Sequence, residues 1–518
     1  MLSQPTRSLL QRRFGHALLP QVVGMMGVAA LNSASAQEAA TRPGLALVPE
    51  FGIRQTLTDN VHLSGTDRRA ELVTELSPGL RLFSNTGFVR GSLDYSLTGL
   101  VYARESSFNN VQQSLRAAGT VEVIEKRAYI DASASIAQQN ISAFGTQASD
   151  PALLNGNRTE VAAVRLAPHV RGRLGGFAEY EARLTLEGTN SKGSNANSRS
   201  ADAALHIGSD AASFSRLGWA ADYSHRVVDF SATGSSVVDL LTATLTFAAT
   251  SELRFSARGG RESTDLLTSK TERYNTWGWG ATWAPSERTR LELAQDQRFF
   301  GKSHSVRLEH RMPRSVWTFS DSRSVSTNAS SSGASGQRTV FDLLFAQCAS
   351  STRDPVQCAA QVDATLQNQG LTRASLANGG ILTSGPSIQR SQNLSVALLG
   401  GRTTVIVSTF RNDTQSLGSA TIITGDLSNG NSLRQSGQSV NVSYRLTPLS
   451  ALSVDLARTK SIGAVSGQST DLRSLMATWS SRLAERVDGS VSVRRSSFDS
   501  ASNPYSESAV IANLRLRF

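Results

Sequence analysis

After residue 36 the chain has no run of ~18 consecutive apolar residues, the length an α-helix needs to cross a bilayer. A helical membrane protein is therefore excluded for that region, in keeping with the mean hydropathy of −0.21. Proline is sparse, at 13 of 518 residues, and no long acidic or basic block occurs. Apolar residues occur throughout, so the composition is not that of a disordered chain. Only two cysteines are present, Cys348 and Cys358. Two cannot staple a scaffold of this size, and with no histidine nearby they make a poor metal site. Catalytic signatures are missing as well. There is no G-x-S-x-G elbow, no H-E-x-x-H, no Walker loop and no G-x-G-x-x-G after a strand. The histidines are scattered. His304 and His310 are six apart on a β pattern, on one face but too distant to share a metal. Neither enzymatic chemistry nor a cofactor is expected, and the scattered charge gives no nucleic-acid footprint.

What is present begins with a processing segment. Arg7, Arg12 and Arg13 form a basic start, HALLPQVVGMMGVAAL is a short apolar stretch, and Ala34-Ser35-Ala36 is an A-x-A cleavage site. Residues 1–36 are expected to be a signal peptide, cut between Ala36 and Gln37. Export to the bacterial envelope follows. The leader holds three arginines and no acidic residue, so the mature chain keeps +8 of the formal charge of +11. Two readings of that charge stand. One is a solvated, Arg-rich lumen and rim; the other is affinity for anionic polymers or lipopolysaccharide phosphates.

The dominant pattern is a period of two. In LTATLTF (241–247) the apolar residues alternate with threonines, and in LRFSAR (253–258) with arginine and serine. In WGWGATW (277–283) three tryptophans share a face with Ala281, and the glycines lie opposite. LSVDLAR (452–458), SVSVRR (490–495) and VIANLRLRF (510–518) repeat the scheme. Such segments are strands with one greasy and one polar face. Helical periodicity appears only weakly, near 341–349 and 356–367.

Connections alternate in length. Short turns such as SNTG (84–87), LGG (174–176), MPRS (312–315) and LAE (483–485) interleave with long polar loops. The long ones include 139–157, 190–200, 261–270, 411–435 and 496–507. This rhythm predicts an all-β fold, a transmembrane up-and-down antiparallel β-barrel spanning 37–518. It has short periplasmic turns and long extracellular loops, with about 22 strands, give or take four. The last strand stops on Phe518 with Leu514 and Leu516 on its apolar side. A closed barrel explains this ending, because its last strand pairs with its first. The alternative is the terminal strand of a soluble β-sandwich. Leu514, Leu516 and Phe518 also resemble the C-terminal signal by which barrel-assembly machinery recognises its clients. The six tryptophans suit interfacial girdles. Residues 323–390 break the rhythm as a long Ser/Gly-rich insertion, either an outer cap or a plug. Its two cysteines, Cys348 and Cys358, are candidates for a disulfide.

The N-terminal third carries a resemblance. LTDNVHLSG (57–65), ELVTELSPGLRLF (71–83) and the stretch 91–145 contain T-D-N-V, E-L-S-P-G, D-Y-S-L-T-G-L-x-Y and S-x-x-Q-Q-N-I-S-x-F-G. These elements resemble the PEP-CTERM-system-associated outer membrane proteins. The resemblance implies an outer-membrane barrel linked to exosortase sorting and exopolysaccharide production, with PEP-CTERM proteins and exopolysaccharide as partners. It implies no catalytic residues. Read by themselves, Asp59-Asn60 is turn chemistry, Pro78-Gly79 marks a bulge or bend, and Tyr95 and Tyr102 are girdle aromatics. Two functions follow. One is a channel or export component for exopolysaccharide. The other is a closed structural or binding barrel whose loops hold surface polymer or proteins. Outer-membrane lipid and lipopolysaccharide are the surroundings in both.

Overall fold

The computed structural model describes residues 44–193, 196–209, 216–268, 270–327, 382–418, 425–428, 431–464 and 468–518. They form a single antiparallel sheet of 22 strands. The first eight are β1 (Leu45–Thr58), β2 (Glu71–Asn85), β3 (Val89–Tyr102), β4 (Asn110–Ile124), β5 (Ala128–Asn140), β6 (Arg158–Leu174), β7 (Ala178–Ser191) and β8 (Ser198–Ser209). The next seven are β9 (Leu217–Phe230), β10 (Gly234–Ala248), β11 (Leu253–Thr264), β12 (Glu272–Ser286), β13 (Thr289–Arg298), β14 (Gly301–Met312) and β15 (Ser315–Ser326). The remainder are β16 (Ser387–Leu399), β17 (Thr403–Ser416), β18 (Ser432–Arg445), β19 (Ser450–Gly463), β20 (Ser469–Ala484), β21 (Val487–Ser500) and β22 (Tyr505–Arg517). Among the described residues the helical content is one 3₁₀ turn, Ser106–Phe108.

Each strand pairs with the next in sequence, and β22 pairs back onto β1 from Glu50↔Arg517 to Thr58↔Ala509. The sheet is therefore closed, and the soluble-sandwich alternative for the last strand falls. Closure gives both edge strands a partner over that span, so their N–H and C=O groups bond within the wall rather than to water, which a hydrocarbon setting demands. At ~4.8 Å between strands and a tilt of ~40°, 22 strands make a wall roughly 40 Å across.

The period of two sets the two faces. On the outside, Val442, Val454, Ala477, Val493 and Val510 lie level across β18 to β22. Val493 is 58% exposed although it sits in the middle of its strand. Bare apolar rows of this kind are what lipid contact requires and what water would punish. On the inside, Ser492, Arg494 and Ser496 are buried. The tryptophans of β12 point outward, with Trp279 at the middle of the strand and Trp277 just above it. Trp219, Trp283, Trp317 and Trp479 lie toward the short-turn end, one interfacial girdle rather than two.

All ten connections at the end where β1 starts and β22 finishes are short, two to seven residues. The other end carries every longer connection, 59–70, 141–157, 327–386 and 417–431, but it also has short ones such as 231–233 and 299–300. Strands run through much of 190–200, 261–270 and 496–507, so those loops are shorter than the polar composition suggests. The long insertion is narrower than expected, because β15 runs to Ser326 and β16 begins at Ser387. Cys348 and Cys358 lie outside the described residues, as do Ala36, Gln37 and the two weakly helical stretches. Pro78-Gly79 makes no bulge. The register of β2 on β3 is the same at Leu76↔Gly99 and Gly79↔Ser96, so no residue is inserted. Tyr95 faces lipid, but Tyr102 faces inward and is buried, so it is not a girdle residue.

Lysine in place of Val493 should destabilise the folded barrel by about 2–4 kcal/mol in a bilayer, because it places a charge at the membrane midplane. Lysine in place of Ser490, on the lumen side of the same strand, should cost far less. Urea unfolding of both variants in lipid vesicles checks the assignment of faces.

Candidate functional site

The polar face lining the lumen falls into two sectors. On β1 to β14 arginines are matched with acids: Arg81 with Glu50 at 3.2 Å and Asp94 at 3.3 Å, Arg165 with Glu187 at 3.1 Å, and Arg183 with Asp131 and Glu181 at 2.8 Å each. On β15 to β19 the inner face is instead mostly hydroxyl and amide. Ser391 donates to Asn412 at 2.8 Å, Ser408 meets Ser439 at 2.6 Å, and Asn441 donates to Asp455 at 2.6 Å. The arginine-rich lumen read from composition is thus largely neutralised in place.

Into this lumen folds the connection between β5 and β6, residues 141–157, which sequence reasoning had placed outside with the other long loops. Its base is closed by Asn157. The side chain accepts from the Ser142 N–H at 2.9 Å and donates to the carbonyls of Ser142 at 2.8 Å and Thr146 at 3.1 Å. That arrangement makes a compact Ω-type loop. Farther on, the Asp150 carboxylate accepts from the Ala152 N–H at 2.9 Å, the local turn that Asp favours.

Two apolar clusters hold the loop against the wall. Ala152 packs with Val61, Val73, Leu100 and Tyr102. Ala148 and Leu153 pack with Leu63, Leu472, Phe498 and Tyr505. A buried loop must also satisfy its backbone. Tyr102 Oη donates to the Ala152 carbonyl at 2.9 Å, and Tyr505 Oη donates to that of Gln147. Arg158 donates to the carbonyls of Asp150 at 3.0 Å and Ala148 at 2.9 Å. The Leu154 N–H reaches the Val61 carbonyl at 2.9 Å.

The centre of the attachment is electrostatic. Asp150, 2% exposed, is ion-paired to Arg54 of β1 and to Arg494 of β21, with only 4% of the Arg494 side chain exposed. Arg54 also donates to Glu75 at 2.9 Å. Arg494 donates to Glu507 at 2.8 and 3.2 Å, and Glu507 further accepts from Thr58 at 2.9 Å and Ser496 at 2.7 Å. Arg54 lies four residues from the end of β1 and Arg494 six from the end of β21. Asp150 is therefore held roughly 10–15 Å below the rim, inside the barrel. Burial alone would push its carboxyl up, but the two guanidiniums outweigh that and hold it well below the usual carboxylate range. A second anchor sits nearer the loop base. Asp426, from the connection between β17 and β18, accepts from Ser142 Oγ at 2.6 Å and from the Ala143 N–H. Burial pushes the Asp426 carboxyl up, partly offset by those two donors.

Several motif residues quoted from the N-terminal third converge here. Thr58 and Val61 of T-D-N-V, Glu75 of E-L-S-P-G and Tyr102 of D-Y-S-L-T-G-L-x-Y all touch this loop or its ion-pair network. Asn60 plays its turn role, exchanging hydrogen bonds with Ser64 at 2.7 and 3.0 Å. Asp150, Arg494 and Glu507 carried no sequence signal beyond their types. Leu514, Leu516 and Phe518 lie apart from the site, on the outward face of the closing strand. His304 and His310 both face outward, near Asp321 at 3.1 Å and Thr289 at 2.8 Å. No cluster of three metal-ligating side chains occurs among the described residues.

No family model and no curated protein matches the chain. Among solved structures it is similar to the siderophore receptor PirA from Pseudomonas aeruginosa, at 10% identity over 92% of this chain and 81% of that one, with a TM-score of 0.37. It is similar to the FrpB iron transporter from Neisseria meningitidis at 11% identity, covering 92% and 82%, with a TM-score of 0.38. OccK1 from Pseudomonas aeruginosa gives 10% identity, 91% and 99% coverage, and a TM-score of 0.33. At such identities the likeness concerns the fold alone.

Because the folded pKa of Asp150 lies below its unfolded value near ~3.9, the docking energy it supplies is complete above that value and fades as pH falls beneath it. Native-state hydrogen exchange at Leu154 should therefore keep the share of protection that Asp150 supplies down to about pH 4 and lose that share only at stronger acidity. Asp150→Asn should lower the opening free energy of the loop by about 3–5 kcal/mol at pH 7, since it leaves buried guanidiniums uncompensated.

Proposed function

We propose that this chain is a bacterial outer-membrane channel for a hydrophilic, hydroxyl-rich cargo, with loop 141–157 as a fixed constriction. The observation that carries the reading is the loop itself. It is docked inside the lumen by an ion-pair network that would be costly to leave incomplete. A loop that narrows a water-filled lumen without severing the wall is a selectivity device. The lining supports a glycan as cargo. The hydroxyl and amide ladder on β15 to β19 can exchange hydrogen bonds with sugar hydroxyls at little desolvation cost, and the paired arginines opposite do not trap a polymer as an unpaired row would. Exopolysaccharide is the cargo that the N-terminal motifs suggest, and the PEP-CTERM sorting system is the setting they imply. The exported leader, cut after Ala36, and recognition of Leu514, Leu516 and Phe518 by barrel-assembly machinery complete the proposed route to the outer membrane. Transport of this kind needs no catalytic residue.

A second reading is favoured by the mouth of the barrel. Leu266, Phe299 and Leu417 form one buried apolar cluster there, and Val161, Ala196, Val228, Phe230 and Leu382 form another. Loops packed over an opening suit a closed barrel that binds surface polymer or proteins.

Single-channel current in a planar bilayer separates the two. The channel reading predicts steady conductance from the intact protein, larger conductance from Asp150→Ala, and transient block by added exopolysaccharide. Silence from both proteins, with insertion verified by protease protection, would leave the closed binding barrel.

A further inference from the structure

The outer face holds a charge pattern that the lumen does not explain. On β17 to β21, in the half of the wall toward the long loops, the outward row turns from apolar to basic. Arg411, Arg434, Arg458, Lys460, Arg473 and Arg495 all point away from the barrel. They lie directly above an apolar row, since Val440, Leu456 and Leu475 are level with one another and next below Gln438, Arg458 and Arg473. The inner faces of β17 and β18 carry almost no charge, so cations are placed specifically on the lipid side of these strands.

The outward acids are too few for these cations. Arg411 at 3.0 Å and Arg434 at 2.6 Å share Asp413. Arg458 at 2.6 Å and Arg473 at 2.9 Å share Asp471, with Asp499 3.7 Å from Arg473. Lys460 has no ion pair among the described residues, and Arg495 donates only to the Ser508 hydroxyl, at 2.5 Å. Arg458 and Arg473 face each other directly in register, where like charges repel. Their side chains stay 52% and 54% exposed. In the lumen, by contrast, Arg494 is enclosed by two carboxylates. Charge on a lipid-facing surface is costly within hydrocarbon and favourable at head-group level, where a phosphate can take the guanidinium fork.

We propose that the outer face of β17 to β21 is a binding site for the phosphorylated head group of lipopolysaccharide. Its phosphates bridge Arg458, Lys460 and Arg473, and its acyl chains lie along Val440, Leu456, Leu475 and Val493. An amphiphile standing beside the wall meets both rows at once, anion above and hydrocarbon below. A soluble polyanion would meet the upper row only. The inference rests on the barrel standing in an outer membrane and is independent of whether its lumen conducts.

The test measures binding of purified bisphosphorylated lipid A to the detergent-folded full chain, by native mass spectrometry. The wild type is compared with the triple variant Arg458→Gln, Lys460→Gln and Arg473→Gln. A control triple, Arg127→Gln, Arg314→Gln and Arg402→Gln, removes equal charge from short turns at the opposite end. Heat-modifiable mobility on gels verifies that each variant folds. At roughly one surface-charge contribution per residue, the site triple should bind about a hundredfold more weakly, with the control unchanged. Dephosphorylated lipid A should bind the wild type as poorly as bisphosphorylated lipid A binds the site triple. Equal loss in both triples, or phosphatidylglycerol matching lipid A on the wild type, would mean diffuse charge attraction and overturn the site. Undiminished binding by the site triple would overturn it outright.

Discussion

Everything in this molecule depends on the pairing of β22 with β1. A strand in hydrocarbon cannot leave its N–H and C=O groups bare, and a sheet removes its edges only by closing. The register from Glu50↔Arg517 to Thr58↔Ala509 accomplishes that. Closure then divides the protein into two solvent problems. Each strand faces lipid with one side and an aqueous interior with the other, so a single alternation serves both. Val510, Ala512 and Leu514 answer the first, and Glu507, Asn513 and Arg515 the second.

The interior problem is solved unevenly. An arginine in a polar lumen has water as an alternative partner, so pairs such as Arg165 with Glu187 contribute little to stability. The cluster around Asp150 is different because the loop that brings Asp150 also excludes water from Arg494 and Glu507. Burial makes the network cooperative in its demands. Each member is tolerable only while the others are present, which fixes the loop in one position more firmly than its apolar contacts alone would. The closing strand itself contributes Glu507 and Tyr505 to the network, so barrel closure and loop docking share residues.

Much of the wall was legible in the chain because a period of two is a local signal. WGWGATW fixed which face of β12 meets lipid, and the spacing of SNTG, LGG, MPRS and LAE gave the end to which the turns belong. The strand count, too, followed from that rhythm. The loop was not legible. Residues 141–157 look like any polar connection until their apolar members are asked for partners. Ala148, Ala152 and Leu153 find theirs on strands distant in sequence, and Asp150 meets Arg494 across 344 positions. Tyr102 misled for the same reason. An aromatic at a strand end suits a girdle, and only the loop beneath it reveals that its hydroxyl is spent on the Ala152 carbonyl. The motifs of the N-terminal third did point at this region, but as a set of turns and strand ends, not as one docking site.

Loop 141–157 lies docked inside the lumen against β1 and β21. Ser149 and Ser496 place their hydroxyls 3.1 Å apart, one on the loop and one on β21. With Cys348 and Cys358 changed to serine, the pair Ser149→Cys and Ser496→Cys can be followed by gel shift and by single-channel current in the same sample. Spontaneous cross-linking, with identical conductance before and after reduction, is the expected result. Failure to cross-link in the folded barrel, or a conductance that rises when the bond is reduced, would contradict it.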